Sequence, residues 1–142
     1  MAYTSAFSRW SPHAWALIAV LVMSACQSTD GSSAGDPLGR WTLSAIDATR
    51  ISDVEAWIQI EPDKLSGNAG CNTINGKAQI SAATVSIGPI AGTKKMCPGG
   101  NRMEVERSVI ERLHAADKVT FSDGAMTLSG GAGSLTWQRI NR

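Results

Sequence analysis

Histidine, cysteine and tyrosine are scarce in this chain. Of its 142 residues, three are cysteine, two histidine, one tyrosine and two phenylalanine. No Cys-x-x-Cys occurs, which excludes a thioredoxin-like redox pair. A structural zinc site needs four ligands at suitable spacing. Cys71, Cys97 and the isolated His114 do not supply them. Gly-x-Ser-x-Gly occurs once, as Gly31-Ser32-Ser33-Ala34-Gly35, in a polar Ser- and Gly-rich stretch without the strand and helix that make a nucleophile elbow. Gly130-Gly131-Ala132-Gly133 is glycine-rich but lacks the Lys and Ser/Thr of a phosphate loop. These absences leave no cofactor, no metal and no catalytic residue to nominate, and the expectation is a protein that is not an enzyme.

A charge excess is also missing. The formal net charge is +1. Without residues 1–25, which contain Arg9 as their only Lys or Arg and no acidic residue, twelve basic residues face twelve acidic ones. Nothing favours a phosphate backbone, so nucleic-acid binding is not expected. Lys94-Lys95 is a basic doublet that a solvated loop explains.

No apolar run reaches the roughly 20 residues that span a bilayer. What is present is shorter: Ala14-Trp15-Ala16-Leu17-Ile18-Ala19-Val20-Leu21-Val22-Met23. Arg9 precedes it and small residues follow, the order of a secretory signal. The exit Met23-Ser24-Ala25-Cys26 resembles the lipobox of bacterial lipoproteins, in which the cysteine is acylated and becomes the first residue. One acyl chain anchors poorly, at about 0.8 kcal/mol per buried CH₂. The resemblance implies two or three chains on Cys26, and so attachment to a membrane. Gln27 follows the lipid site, where Asp in similar lipoproteins retains the chain in the inner membrane. The expected address is therefore the outer membrane, facing the periplasm. The sequence divides into a signal at 1–25, a Ser- and Gly-rich tether at 26–37 and a folded domain at 38–142. A tether of that composition has a root-mean-square reach of roughly 20 Å.

Alternation of apolar and polar residues predicts strands over Arg40–Ile46, Ala56–Glu61 and Lys64–Asn72. Trp41, Leu43 and Ala45 share one face, as do Ile58 and Ile60. Trp57 is out of phase with Ile58 and Ile60, which makes it the candidate exposed contact. Asn75-Gly76 reads as a tight turn. Short strands follow at Lys77–Ile80 and Thr84–Ile87, with extended chain from Ile90 towards Cys97. A helix is predicted over Arg102–Ala116, capped by Asn101 with Glu104 as a capping box. Its apolar stripe is Val105, Val109 and Leu113, with Ile110 beside it. Strands at Lys118–Ser122, Ala125–Ser129 and Ser134–Arg139 close the chain, with Asp123-Gly124 as a hairpin turn and 130–133 as a loose loop. The fold class is α+β: about eight mostly antiparallel strands, an open or barrel-like sheet, and one helix.

One stretch organises the rest: Ser66-Gly67-Asn68-Ala69-Gly70-Cys71-Asn72. Glycine inside a strand marks a bulge or a close backbone approach. The strand is expected to kink here and deliver Cys71 to Cys97. With Cys26 lipidated, two cysteines remain in an oxidising compartment, where disulfides persist. They form a bridge, or pack as two buried thiols. Asn72 ties down the kinked strand through its side chain, or recognises a ligand.

The Gly-Asn-Ala-Gly-Cys-Asn run, Gly76 and Thr93-x-x-Met96-Cys97 together resemble the META domain family, also called HslJ-like. So do the Trp41-Thr42-Leu43 strand, the helix after the second cysteine, and the apolar hairpin that follows. The resemblance covers roughly residues 38–140. It implies a small β-rich fold found in bacterial lipoproteins and associated with heat-shock response, antibiotic tolerance, motility and virulence. It supplies no catalytic residues. It implies a non-enzymatic envelope module that acts by binding or by supporting stress tolerance, with an envelope protein as a possible partner. The alternative is a pilot-like chaperone for an outer-membrane protein, which needs an apolar groove between helix and sheet.

Overall fold

The computed structural model describes residues 35–140. The signal, Cys26 and most of the tether lie outside the described residues. Alternating side chains build the sheet. Strand β1 (Gly39–Ile46) buries Trp41 and Leu43. It pairs with the two-residue β2 (Thr49–Arg50) and with β3 (Trp57–Glu61), which buries Ile58 and Ile60. Next come β4 (Lys64–Asn68), β5 (Thr73–Ile80), β6 (Val85–Ile87) and the short β7 (Ala91–Gly92). Helix α1 (Arg102–Ala115) leads directly into β8 (Ala116–Ser122), then β9 (Ala125–Gly130) and β10 (Gly133–Arg139).

The order across the sheet is β6-β5-β4-β3-β1-β10-β9-β8, and the pairings are antiparallel. The two outer strands then meet. Thr84 bridges Lys118, and Val119 N–H donates to Ala83 O at 3.1 Å. A twisted sheet that curls until its edges touch leaves few unpaired backbone groups. The result is a nearly closed barrel with one helix, as the alternation predicts.

The pairings define two ends. Gly39, Glu61, Lys64, Ser122, Ala125 and Arg139 lie at the lower end; Ile46, Asn68, Thr73, Ala116, Gly130 and Gly133 lie at the upper end. Trp41 and Trp137 fill the interior, both at most 1% exposed, with Leu43, Met126, Leu128 and Leu135. The Trp137 indole N–H finds no acceptor in that apolar interior among the described residues.

The lower end is covered by residues 35–38. Trp41 Nε1–H donates to Pro37 O at 2.8 Å. Arg139 donates to Asp36 O and to Leu38 O, and its guanidinium lies over the Trp41 ring at 4.4 Å. The folded part thus reaches back to Gly35, which packs on the Phe121 ring.

Helix α1 covers the upper end with Val105, Val109 and Leu113, all buried. The expected Asn101 cap does not form: its side chain makes no capping bond, although its carbonyl accepts Val105 N–H at 2.9 Å. A second expectation fails at Asn75-Gly76. These residues lie inside β5, paired with Ser66 and Leu65. Gly76 there serves close approach, since a Cβ would stand 3.1 Å from Pro89 O. The chain turns instead at Ala69–Asn72, where Ala69 N–H donates to Asn72 O at 3.0 Å. Ala45 leaves the core face because a bulge follows Leu43. The 130–133 loop is a two-residue turn, and Gly130 lets Ala115 O pass where no Cβ fits.

Arg112 fastens the far end of the helix. Its Nη2 meets Asp47 Oδ2 at 2.8 Å, while Ser134 N–H donates to Asp47 Oδ1 at 2.8 Å. The Arg112 hydrogen bond, then the Ser134 N–H, hold the Asp47 carboxyl below its usual 3.8. Asp47 is half exposed, so solvent screens the pair. A depressed carboxylate pKa stabilises the fold above the unfolded value and loses that contribution as pH falls through the folded value. Stability measured by urea denaturation is therefore expected to drop below about pH 4. Asp47→Asn should remove part of that drop. An unchanged acid slope in the variant would count against the helix fastening.

Candidate functional site

The kinked strand expected over Lys64–Asn72 ends at Asn68, without a bulge at Gly67, and Gly70 belongs to the turn that follows. A Cβ on Gly67 would lie 2.1 Å from Trp57 O, so only glycine lets β3 and β4 approach there. Gly70 has φ of 125° and sits under the first turn of α1, with Arg102 O and Val54 each 3.1 Å from a Cβ position. Its N–H bonds Asn68 Oδ1 at 2.8 Å. The turn so formed places Cys71 and Asn72 beneath the helix and beside the 93–97 segment.

Cys71 and Cys97 form a disulfide, with Cα atoms 6.0 Å apart. The bridge pins the 93–97 segment to the β4–β5 turn. Asn72 does the same by hydrogen bonds. It is the buried polar residue of the described chain, 2% exposed. Its Oδ1 accepts from Thr93 Oγ1–H at 2.6 Å and from Lys95 N–H at 2.7 Å. Its Nδ2 donates to Glu106 Oε1 at 3.0 Å and to Lys95 O at 3.2 Å. Its backbone N–H donates to Glu106 Oε2 at 2.7 Å. Every donor and acceptor of the amide is used. A buried amide left unpaired costs several kcal/mol, and a fully paired one fixes a unique arrangement.

Asn72 therefore ties down the strand, one of the two roles read from sequence. The carboxylate that completes it, Glu106, was not singled out by sequence reasoning. Its only sequence signal is its place beside Val105, at the edge of the apolar stripe. A carboxylate there has no visible partner until the fold brings Asn72 to it.

Trp57 lies elsewhere, on the outer face of β3. It is half-buried, and the Arg40 guanidinium stands 3.7 Å over its ring. Trp57 is thus separate from the Cys71–Asn72 cluster. His114 is exposed in the last turn of α1, where a cation suits the helix dipole. Among the described residues no three His, Cys, Asp or Glu side chains gather as a metal set.

The two fasteners carry separable contributions. A loop of this length gives the bridge roughly 3.5 kcal/mol in the chain-entropy model. Asn72→Ala strands Lys95 N–H and the Glu106 carboxylate and should cost about 3 kcal/mol. Urea denaturation of the chain carrying Cys26→Ser, oxidised and reduced, reads both. A midpoint that moves with neither change would refute the fastening.

Two solved structures share this architecture. An NMR structure of a protein from Burkholderia xenovorans is 22% identical, with a TM-score of 0.61, over 73% of this chain and 83% of that one. A second NMR structure is 21% identical, with a TM-score of 0.59, over 70% of this chain and 87% of that one. At these identities the likeness is one of fold. No curated protein matches the chain. The family model for the META domain matches residues 37–141. The barrel, the bridged Gly-Cys-Asn turn and that match agree: the chain belongs to the META domain family.

Proposed function

We propose that this protein is a non-enzymatic envelope lipoprotein, anchored through Cys26 in the outer membrane and acting as a binding or stress-tolerance module. One observation carries the reading. The residues that distinguish the chain, Gly67, Gly70, Cys71, Asn72, Thr93 and Cys97, are engaged with one another, with the helix or with neighbouring backbone. A site for acid–base or nucleophilic chemistry needs a group free to act within reach of substrate. Here the polar side chains of the cluster are spent on fixing the fold. A rigid barrel with a fixed loop supports recognition in place of turnover.

The address rests on Met23-Ser24-Ala25-Cys26 and on Gln27. Residues 35–38 lie against the lower end of the barrel, so the tether from Cys26 joins the domain at that end. Envelope fractionation with mass spectrometry should find acylated Cys26 as the first residue, in the outer membrane. A lipid-free soluble product, or an inner-membrane location, would sink the proposal.

The chaperone alternative has less support. The hollow between α1 and the β1–β2 turn is about 280 Å³. Ile46 and Ile51 line it, but so do Asp47, Thr49, Glu104 and Ser108. Trp41 and Trp137 are inside the barrel and offer nothing to a partner segment.

Trp57 with Arg40 is the proposed contact on the sheet face. Trp57→Ala removes a half-buried cation–π pair worth about 1 kcal/mol. The melting temperature should fall by a few degrees at most. Complementation of a deletion strain under envelope stress should suffer more. A large loss of melting temperature with full complementation would make Trp57 a structural residue.

A further inference from the structure

Sulfur is unevenly placed in the described domain. Cys71 and Cys97 are joined, so neither offers a thiol. The thioethers of Met96, Met103 and Met126 remain among the described residues. Met126 is 0% exposed, inside the barrel opposite Trp137 of β10. Met103, on the first turn of α1, is 41% exposed. Met96 is 86% exposed.

A thioether is oxidised where an oxidant can reach it, and the product is polar. A sulfoxide at Met126 would need room and a polar partner inside a packed apolar core. Met96 needs neither, because its side chain already stands in water. Its backbone is held on both sides. Asn72 bonds the N–H and the C=O of Lys95, and the bridge holds Cys97. None of these contacts uses the Met96 side chain. The thioether can therefore turn polar while the fastening stays as it is.

We propose that Met96 is an oxygen-accepting site: its thioether takes one oxygen atom from a hydroperoxide on the folded chain, and the fold keeps its stability with the sulfoxide in place. A sulfur lone pair attacks the outer oxygen of the hydroperoxide. The S–O bond forms as the O–O bond breaks, and the proton of the attacked hydroxyl passes to the departing oxygen. Sulfur loses two electrons, and the hydroperoxide is reduced to water or an alcohol. A methionine sulfoxide reductase, supplied by a dithiol, reverses the change. The bridge bears on this chemistry. A free thiol can be driven on to sulfinic and sulfonic acids, which are essentially irreversible. With Cys71 and Cys97 paired and a thioether facing solvent, the domain takes up oxidant in a form that can be undone. The site depends on exposure and not on where the chain is anchored.

The test uses the full chain in mild detergent, treated with hydrogen peroxide. Tryptic cleavage after Lys95, Arg102, Arg107 and Lys118 places the three methionines on separate peptides, so mass spectrometry follows each one. Met96 should be oxidised first, within about threefold of the rate of a short unstructured peptide of the same sequence. Met103 should follow. Met126 should be at least about a hundredfold slower than Met96, since it reacts only when the barrel opens. In urea, Met126 should speed up through the unfolding transition while Met96 barely changes. A chain carrying Met103→Leu isolates the Met96 sulfoxide, which should leave the urea midpoint where it was. Methionine sulfoxide reductase with dithiothreitol should restore the thioether. Met96→Leu should keep the midpoint and remove the fastest phase of oxidation. Any other order of the three methionines, a midpoint lowered by the Met96 sulfoxide, or a sulfoxide that the reductase repairs in the short peptide but not in the chain would overturn the proposal.

Discussion

A single buried amide joins the three parts of this molecule. The barrel, the 93–97 segment and the helix meet at Asn72. Its oxygen holds the segment, its nitrogen reaches both segment and helix, and its backbone N–H holds the helix through Glu106. An amide at 2% exposure is tolerated only when its hydrogen-bonding groups are paired. That requirement runs outward. Glu106 must point inward from the helix, Thr93 must present its hydroxyl, and Lys95 must offer both backbone groups. The glycines make room: Gly70 adopts a backbone conformation closed to other residues, directly under Arg102.

The disulfide acts on the same segment by a different physical route. It restricts the unfolded chain, whereas Asn72 stabilises the folded one. Together they fasten Thr93–Cys97, which pairs with the sheet only at its start. Regular backbone pairing would have closed this surface; side-chain fasteners leave Lys94, Lys95 and Met96 free to face solvent. The lower end is secured differently, by Arg139 spread over Trp41 and bonded to residues 36 and 38. The two ends therefore have unlike chemistry, one carrying the tether and the other a fixed basic and apolar loop.

Much of this was legible in the chain. Period-two alternation placed Trp41, Leu43, Ile58 and Ile60 in the core, and the helix stripe of Val105, Val109 and Leu113 was correct. Both depend on burial of side chains, which sequence pattern records directly. The errors arose where pattern and tertiary demand diverge. Asn75-Gly76 has the composition of a turn, yet Gly76 is needed where the Pro89 backbone crosses β5. Asn101 and Glu104 have capping-box spacing, but Asn101 stands at φ −99° and ψ 13°, outside the extended geometry a cap needs, and no cap bond forms. Glu106 was invisible because its role depends on a residue 34 positions earlier, brought close only by the fold. Cys71 and Cys97 were readable as a pair, whereas the parallel role of Thr93 and Lys95 was not.

The account's central claim is that the Asn72–Glu106 contact couples the barrel to the helix. A double-mutant cycle with Asn72→Ala, Glu106→Ala and the double variant, read by urea denaturation, tests it most directly. Residues in one buried network show interaction energies of about 0.5–3 kcal/mol. The account predicts a coupling of at least about 1 kcal/mol, with the double variant less destabilised than the sum of the singles. Additivity within about 0.5 kcal/mol would contradict it.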